Sequence, residues 1–352
     1  MSLLRLSAPV LLTLALASLT PTAPAQATAA STDAEAPPPD AEREVLRRAI
    51  GRGLDWLLAH QDEDGRWSAS TFVRHDPQDD PCSGPGKPGQ DLAVTACATI
   101  ALTFAGRHDT ERDAAAVRRA AGWLGGQLEA WLDREPRPEE PLAQLALATW
   151  ALIEYSVPHD DGDAATTASH ALRRLLQFRR DDGGWPATVG GDAVDADTTV
   201  FAFAAQTIGS MVQRAPIPAD PDEALAHAPP EFRLMRHAYR HQPGQALPDL
   251  RAAEQQVLAT PPEWPTAERP CDFVARALAA LFAGLDATPE RTAWCRGLQT
   301  VVLQHQRDDG SHRGSWDPVD VRGKTGGRVQ STALHVWTLH FLDRAALMRA
   351  RR

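Results

Sequence analysis

One seven-residue pattern, present in three places, constrains this chain more than any other feature. The copies begin at Gln61 (QDEDGRW), at Arg179 (RRDDGGW) and at Gln306 (QRDDGS, with Trp316 after a short insertion). Each copy follows an amphipathic segment and precedes a strongly apolar one. Gly accepts positive φ and Asp bonds its own backbone, so each copy predicts a tight turn between two helices. A turn that recurs between matched helix pairs indicates a repeat architecture.

The tryptophan of each copy is predicted to fold its indole over the end of the preceding helix, where its N–H group finds a partner. The residues assigned to the structural turns are Gln61, Gly65, Trp67, Asp182, Gly183, Trp185, Gln306, Gly310 and Trp316.

Hydrophobic periodicity predicts helices along nearly the whole chain. Residues 43–60 place Val45, Ile50 and Leu54 on one stripe, with charged residues opposite. Residues 90–106 are instead apolar around most of their circumference, which is typical of a helix buried on several sides.

The same alternation of amphipathic and apolar segments continues toward the C-terminus. The segments are 111–132, 141–155, 163–178, 197–212, 271–285, 289–305 and 328–342. An outer amphipathic helix followed by an inner buried one, repeated around a circle, predicts an all-α fold. We expect an α/α-toroid of about five to six helical hairpins, the sixth being irregular because prolines interrupt residues 220–260.

The N-terminal segment is predicted to lie outside this fold. Residues 8–19 form an apolar run too short to span a bilayer, and Ala25-Gln26-Ala27 matches an A-x-A cleavage site. Residues 1–27 are therefore predicted to be a secretory signal peptide. The mature protein is expected to be exported, periplasmic or secreted after cleavage near Ala27.

The rest of the chain is divided by composition. Residues 28–42 are small, acidic and rich in proline, and are predicted to be a disordered linker. A single toroid domain is expected over 43–345, followed by a basic tail at 346–352. The Pro-rich segment 76–90 is predicted to be a long loop over one mouth of the ring, where loops tend to carry function.

The net charge limits the kinds of partner this protein is expected to bind, and the cysteine count limits its disulfide pairings. The net charge is −10, so we expect neither nucleic acid nor an anionic membrane surface as a partner, and no segment after the leader is long enough to span a membrane. Four cysteines allow three disulfide pairings, and the sequence does not choose among them. They are Cys82, Cys97, Cys271 and Cys295.

The Gln-x-x-Asp-Gly-x-Trp turns resemble the QW motifs of squalene–hopene cyclases and related terpenoid cyclases and prenyltransferases. The segments Gly314–Pro318 and Gly326–Leu334 are similar to the closing repeat of secreted, cyclase-like bacterial members of that superfamily. The resemblance covers about residues 43–345. It implies the toroid fold, whereas the motifs themselves clamp the outer ring in that family and do no chemistry.

The resemblance also implies a candidate acid. Asp195-Ala196-Asp197-Thr198-Thr199 is similar to the Asp-x-Asp-Asp-Thr motif of class II cyclases, so Asp197 would protonate an alkene with Asp195 in support. Thr198 stands where the third Asp is expected. The alternative is that these residues cap the following inner helix, since Asp and Thr satisfy its free N–H groups.

Two other chemistries have candidate residues in this chain. Zinc-dependent prenyl transfer needs an Asp, a Cys and a His; Cys271 matches, but Arg269 and Ser331 stand where the other ligands are expected. His335 and His340 lie further along and are interpreted as ordinary helix residues. The sequence thus predicts no metal and no cofactor. Toroidal glycoside hydrolases use paired carboxylates, for which the candidates are Glu154, Asp195, Asp197 and Asp272.

We therefore expect an exported, non-catalytic binding or scaffold module that holds an apolar, isoprenoid-like ligand or a partner protein. The alternative is a class II terpenoid-cyclase-like enzyme, an isomerase acting through Asp197. The aromatic residues of the inner helices either line a ligand cavity or pack the core. They are Phe104, Trp150, Phe201, Phe203, Phe273, Phe282 and Trp337.

Overall fold

A computed structural model describes residues 39–106, 110–212, 228–234, 248–285 and 288–350. The predicted signal peptide, most of the predicted linker and much of segment 220–260 lie outside the described residues. The α-helices are α1 (Pro39–Ala59), α2 (Asp91–Phe104), α3 (Glu111–Leu132), α4 (Leu142–His159), α5 (Gly162–Leu176), α6 (Ala196–Val212), α7 (Pro248–Ala259), α8 (Phe273–Ala283), α9 (Pro289–Gln304) and α10 (Gly323–Ala350). Two short 3-10 helices cover Phe72–His75 and Gly310–His312.

The helices form two concentric layers. Helices α8, α10, α2, α4 and α6 pack in that order as the inner layer, and α1, α3, α5, α7 and α9 lie outside them. Helix α1 packs along α10, so the first and last repeats of the chain meet. The predicted α/α-toroid is confirmed.

Burial follows the two helix patterns. Every residue of α2 from Ala93 to Phe104 is buried, as expected for a helix that is apolar all round. In the outer helix α5, the buried residues are Thr167, Ala168, Ala171, Leu172 and Leu175, which recur with the helical period. Burial of each large apolar side chain stabilises the ring by roughly 1.5–3 kcal/mol.

Each turn tryptophan ties an outer helix to the inner helix that follows it. The indole N–H of Trp67 donates to Leu57 O at 2.7 Å, and those of Trp185 and Trp316 make equivalent bonds to the preceding outer helices at 2.9 and 2.8 Å. The backbone N–H of each Trp donates to a threonine hydroxyl on the next inner helix. All three rings are fully buried.

The glutamines of the first and third turns reach the neighbouring outer helix. Gln61 Nε2 donates to Ala116 O on α3 at 2.9 Å, and Gln306 Nε2 donates to Ala49 O on α1, also at 2.9 Å. In the second turn Arg179 stands at the glutamine position, and its Nε donates to Gly183 O at 3.0 Å. Asp182 accepts a bond from Gly184 N across that turn.

The third turn differs from its prediction. Gly314, rather than Gly310, occupies the place of Gly65 and Gly183: the φ angles are 97°, 98° and 86°. The side chain of Gln306 bonds Gly314 O, just as that of Gln61 bonds Gly65 O. Gly310 begins the inserted 3-10 helix, so the glycine of the turn is Gly314, four residues later.

The helices extend beyond the predicted domain limits of 43 and 345 at both ends. Helix α1 begins at Pro39, inside the segment predicted as linker, and α10 runs to Ala350, through most of the segment predicted as a basic tail. Gly327, with φ 66°, interrupts α10 near its start.

Among the described residues, none of the helices combines the length and apolar character that crossing a membrane requires.

Candidate functional site

Charged side chains converge at the end of the ring where inner helices α6, α8 and α10 begin. This end is called the mouth. Arg322, one residue before α10, donates through both terminal nitrogens to Asp197 in the first turn of α6, with Nη2 2.6 Å from Oδ1. The same guanidinium contacts Asp272 Oδ2 through Nε at 2.8 Å. Between a fifth and about a quarter of each side chain is exposed, at 25 %, 20 % and 26 % for Asp197, Asp272 and Arg322. Asp197, Arg322 and Asp272 are named the mouth triad.

Helix capping positions Asp272 of this triad and also Asp195, which lies two residues before Asp197. Asp272 is the N-cap of α8, where Oδ1 accepts from Val274 N at 2.8 Å. Asp195 caps α6 in the same way, with Oδ2 accepting from the backbone N–H and the hydroxyl of Thr198 at 2.8 and 2.7 Å. Such bonds satisfy the free N–H groups of a helix start.

The two residues predicted as a catalytic acid pair therefore have separate partners. Asp195 is bound to the start of its own helix, whereas both oxygens of Asp197 accept from Arg322. An alkene-protonating acid needs its proton directed into an apolar cavity. In this structure both oxygens of Asp197 face the guanidinium of Arg322 rather than an apolar cavity, and the structure does not support the cyclase assignment.

Two further carboxyl groups at the mouth bind protons more tightly than usual. Burial, reinforced by the charge of Asp272, raises the pKa of Asp320 to about 6. Asp320 is 9 % exposed and accepts from Phe273 N at 3.2 Å. Burial and then the charge of Asp272 likewise raise the pKa of Glu231, although its own backbone N–H opposes the shift. The mouth thus combines two carboxylates bonded to one guanidinium with two carboxyl groups of raised pKa.

The loop of residues 76–90 lies against the same end of α10. Gly84 O accepts from Arg328 N at 2.8 Å, and Lys87 N donates to Thr325 O at 2.7 Å. A Cβ atom at Gly86 would lie 2.5 Å from Thr325 O, so this close approach requires glycine. The loop therefore forms one wall beside the mouth.

The centre of the ring is filled by aromatic side chains. Trp150 on α4 meets Trp337 on α10 at 5.5 Å between ring centroids, although α2 separates these helices in the ring order. Phe104 and Phe201 pack on this pair at 6.2 and 6.4 Å. All four side chains are buried. They form a packed layer, which differs from the predicted ligand cavity.

The remaining predicted cavity residues contact other parts of the core. Phe282 lies under the guanidinium of Arg291 on the outer helix α9, at 4.3 Å. Phe273 packs against His335 at 4.2 Å and is buried, as is Phe203 on α6. These contacts do not bring the seven aromatic residues into one ligand site.

Glu154 lies far from the mouth. It is twelve residues into α4, which places it about 18 Å along the helix from the inner-helix starts. Burial raises the pKa of its carboxyl to about 7, although the hydrogen bond from Trp150 Nε1, 3.0 Å long, opposes the shift. Glu154 cannot pair with the carboxylates of the mouth.

The residues considered for a prenyltransferase-type zinc site do not form one. Burial lowers the pKa of both His335 and His340 to about 3, and His335 is stacked on Trp316 at 5.2 Å. All four cysteines are free thiols in this structure. A different trio, His60, Asp76 and Cys82, does place its ligand atoms within 4.8 Å of one another. The spacing of these residues matches no metal-binding motif, so no signal in the sequence points to this trio.

No protein-family description matches this chain, and no curated protein sequence does. The fold is similar to that of cellobiose 2-epimerase from Spirochaeta thermophila, with a TM-score of 0.62 and 14% identity over 88% of this chain and 98% of that one. It is also similar to the GH76A α-1,6-mannanase from Salegentibacter sp. HEL1_6, with a TM-score of 0.58 and 11% identity over 87% of this chain and 99% of that one. An inactive variant of that mannanase in complex with α-1,6-mannotriose, with two aspartates replaced, gives a TM-score of 0.58 at 9% identity.

These proteins are carbohydrate-active enzymes. The predicted membership of the terpenoid cyclase and prenyltransferase superfamily is therefore wrong, since the similar structures are of another kind. The predicted function is wrong for the same reason, both as a non-catalytic module and as an isoprenoid cyclase. At these identities the similarity shows the fold alone.

Proposed function

We propose that this protein is a sugar-processing enzyme that hydrolyses a glycosidic bond at the mouth formed by α6, α8 and α10. The observation that carries the proposal is the partly exposed mouth triad beside two carboxyl groups of raised pKa. Glycoside hydrolysis uses two carboxyl groups in different protonation states, one as acid and one as base or nucleophile. At the mouth, Asp197 and Asp272 are bonded to a guanidinium, whereas Glu231 and Asp320 have raised pKa values.

Glu231 is the proposed general acid. Its pKa is raised by burial and by Asp272, so it keeps a proton at a higher pH than an ordinary glutamate, and it is only partly buried. Asp320 is a weaker choice for direct contact with substrate, because it is 9 % exposed and bonded to the start of α8.

Asp197 is the proposed base or nucleophile. Its hydrogen bonds are to Arg322, which holds the carboxylate in place. Asp272 instead uses one oxygen to cap α8 and the other to anchor Arg322, so its role is to position the guanidinium. Carboxylate and guanidinium groups also bind sugar hydroxyls through hydrogen bonds.

The polarity of the site favours a sugar over an apolar substrate. The ring centre, where an isoprenoid chain would lie, is occupied by Trp150, Trp337 and their neighbours. The partly exposed groups of the mouth triad are charged, and they suit a ligand rich in hydroxyl groups. The fold shared with a mannanase and an epimerase is in keeping with this choice.

The test is a product assay with purified protein on α-1,6-mannotriose, cellobiose and a panel of aryl glycosides. Shorter sugars or released aryl alcohol are expected from wild type. Asp197→Asn and Glu231→Gln should each lower kcat/KM by about 10²-fold or more, as for the loss of a general acid or base. Asp181→Asn, an exposed aspartate in the second turn, is the matched control and should keep full activity.

Circular dichroism melts show whether each variant is folded. Full activity in folded Asp197→Asn would contradict the assignment of roles. Wild type that cleaves none of the panel, or that returns an epimerised sugar of unchanged length, would overturn the proposed hydrolysis.

A further inference from the structure

A buried trio of side chains lies beside the mouth but outside the mouth triad. His60 is the residue after α1, Asp76 follows the first 3-10 helix, and Cys82 lies in the loop of residues 76–90. The side chains of His60 and Asp76 are 5 % and 2 % exposed, and Cys82 is 5 % exposed. Nitrogen, oxygen and sulfur ligand atoms thus converge in a site shielded from solvent.

The hydrogen bonds of His60 direct a ring nitrogen at a negative partner. Nδ1 lies 2.7 Å from Trp56 O, an acceptor, so Nδ1 carries a proton. Nε2 lies 2.8 Å from Asp76 Oδ1, which is also an acceptor. Two lone pairs do not face each other this closely without a proton or a cation between them.

The ring of His60 is held in this orientation from both sides. It stacks on Trp56 with 4.0 Å between ring centroids and meets the edge of Phe72 at 5.7 Å. A backbone carbonyl bonded to the far nitrogen is the usual outer contact of a metal-binding histidine, because it sets the tautomer and aims the free lone pair.

The other two side chains complete a three-ligand set. Asp76 Oδ2 accepts from Cys82 N at 2.8 Å, which leaves Oδ1 facing His60 and the Cys82 sulfur, 3.5 Å away. Cys82 Sγ lies 3.0 Å from Ser311 O. His75, although close, is bonded to Asp62 at 2.7 Å and is not a member of the set.

We propose that His60, Asp76 and Cys82 bind one Zn²⁺ ion, with the carbonyl oxygen of Ser311 or a water molecule as the fourth ligand. Imidazole, carboxylate and thiolate are the ligands that zinc takes in proteins, at bond lengths of roughly 2.0–2.3 Å. Tetrahedral bonds of that length separate ligand atoms by roughly 3.3–3.8 Å. The distances of 2.8 Å between His60 and Asp76 and of 3.5 Å between Asp76 and Cys82 are close to this range, and all three ligand atoms lie within 4.8 Å of one another.

The proton balance of binding is simple. Zinc takes the place of the Cys82 thiol proton and of any proton between His60 and Asp76, and these protons pass to solvent. No electron is transferred and no other reactant is needed. Affinity should therefore fall as the pH is lowered.

The position of the site gives the ion a structural role. His60 belongs to the first repeat, whereas Ser311 lies in the insertion between α9 and α10 and also accepts from Trp56 Nε1 at 2.9 Å. Ser83, next to Cys82, donates its backbone N–H to His312 Nε2 at 2.9 Å. Zinc would fasten the loop of residues 76–90 to both sides of the junction between the first and last repeats.

The test uses the full-length protein stripped of metal with a chelator and then titrated with zinc chloride. Metal analysis after gel filtration should find one zinc ion per chain, and zinc should raise the melting temperature by several degrees. Cobalt chloride should give the absorption bands of a thiolate-bound tetrahedral Co²⁺ ion. Cys82→Ser and Asp76→Asn should weaken zinc binding more than tenfold and abolish the thermal shift, because each removes a ligand.

Cys271→Ser, a half-buried thiol outside the trio, is the control and should bind zinc as wild type does. Retention of the fold by Cys82→Ser, checked by circular dichroism, separates loss of a ligand from loss of structure. Failure of wild type to retain stoichiometric zinc would overturn the proposal and leave His60 and Asp76 as an ion pair. Equal zinc binding by Cys82→Ser and wild type would overturn it as well.

Discussion

The side-chain amide of Gln306 donates a hydrogen bond to the carbonyl oxygen of Ala49, 2.9 Å away, although 257 positions separate the two residues. Gln61 makes the same bond to Ala116 on the next outer helix. The junction that closes the ring therefore uses the same contact as a junction between consecutive repeats. A repeat protein whose ends meet in this way has no exposed terminal repeat surface at that junction.

Replacement of Gln306 by alanine should loosen the ring closure. The carbonyl oxygens of Ala49 and Gly314 each lose one donor, so the free energy of unfolding should fall by about 1–3 kcal/mol. Urea denaturation measures the change. Gln304→Ala, at an exposed position at the end of α9, is the control and should change stability by less than about 0.5 kcal/mol. Equal effects of the two substitutions would show that the Gln306 side chain does not stabilise the ring closure.

Gly314 and Gly310 should respond differently to alanine. At Gly314 the backbone has φ 97°, and a Cβ atom would lie 2.3 Å from Arg52 O, which is backbone. Gly314→Ala should therefore cost about 2 kcal/mol or more. Gly310 also has positive φ, 43°, but the nearest atoms belong to the side chain of Asp80, which can rotate away, so Gly310→Ala should cost less. Thermal melts of both variants test the order, and a reversed order would refute the assignment of the turn.

Removal of a turn tryptophan should leave a large cavity. Trp185 is fully buried and its indole N–H bonds Leu175 O, so Trp185→Ala should cost about 3–5 kcal/mol. Trp123→Ala, at a half-buried position on α3, serves as the comparison and should cost less. An unchanged melting temperature for Trp185→Ala would mean that these turns do not clamp the ring.

Glu154 should make stability depend on pH. Burial raises the pKa of its carboxyl from 4.5 to about 7 in the folded protein, so the folded state holds this proton more tightly than the unfolded state does. The stability contributed by the neutral carboxyl is present in full below pH 4.5 and is lost as the pH rises through about 7. Wild type should therefore lose roughly 3 kcal/mol over this window relative to Glu154→Gln.

Urea denaturation of both proteins at several pH values measures that difference. Asp320 has a raised pKa and the same sign of effect, but it is present in both proteins and cancels in the comparison. Parallel stability curves for wild type and Glu154→Gln would contradict the raised pKa of Glu154.

The turn residues could be predicted from local sequence pattern at most positions, but not at all of them. Trp67, Trp185 and Trp316 were each assigned to a turn from local pattern, and each follows a positive-φ glycine by two residues in the structure. Gly310 was assigned wrongly because an Asp-Gly pair predicts a turn wherever it stands, whereas the insertion moved the turn to Gly314. The family resemblance failed for a related reason: a motif that stabilises a ring carries no information about the chemistry at its mouth.

The alternation of amphipathic and buried helices is readable from the sequence, because helix periodicity and turn residues act over a few neighbouring positions. The candidate site depends instead on contacts between residues that are distant in the chain. Asp197 and Arg322 are 125 positions apart and meet only because the ring brings the starts of α6 and α10 together. The same closure places His60 near Ser311 and fills the ring centre with Trp150 and Trp337. Contacts of this range depend on how all the helices pack, and no local pattern in the chain specifies them.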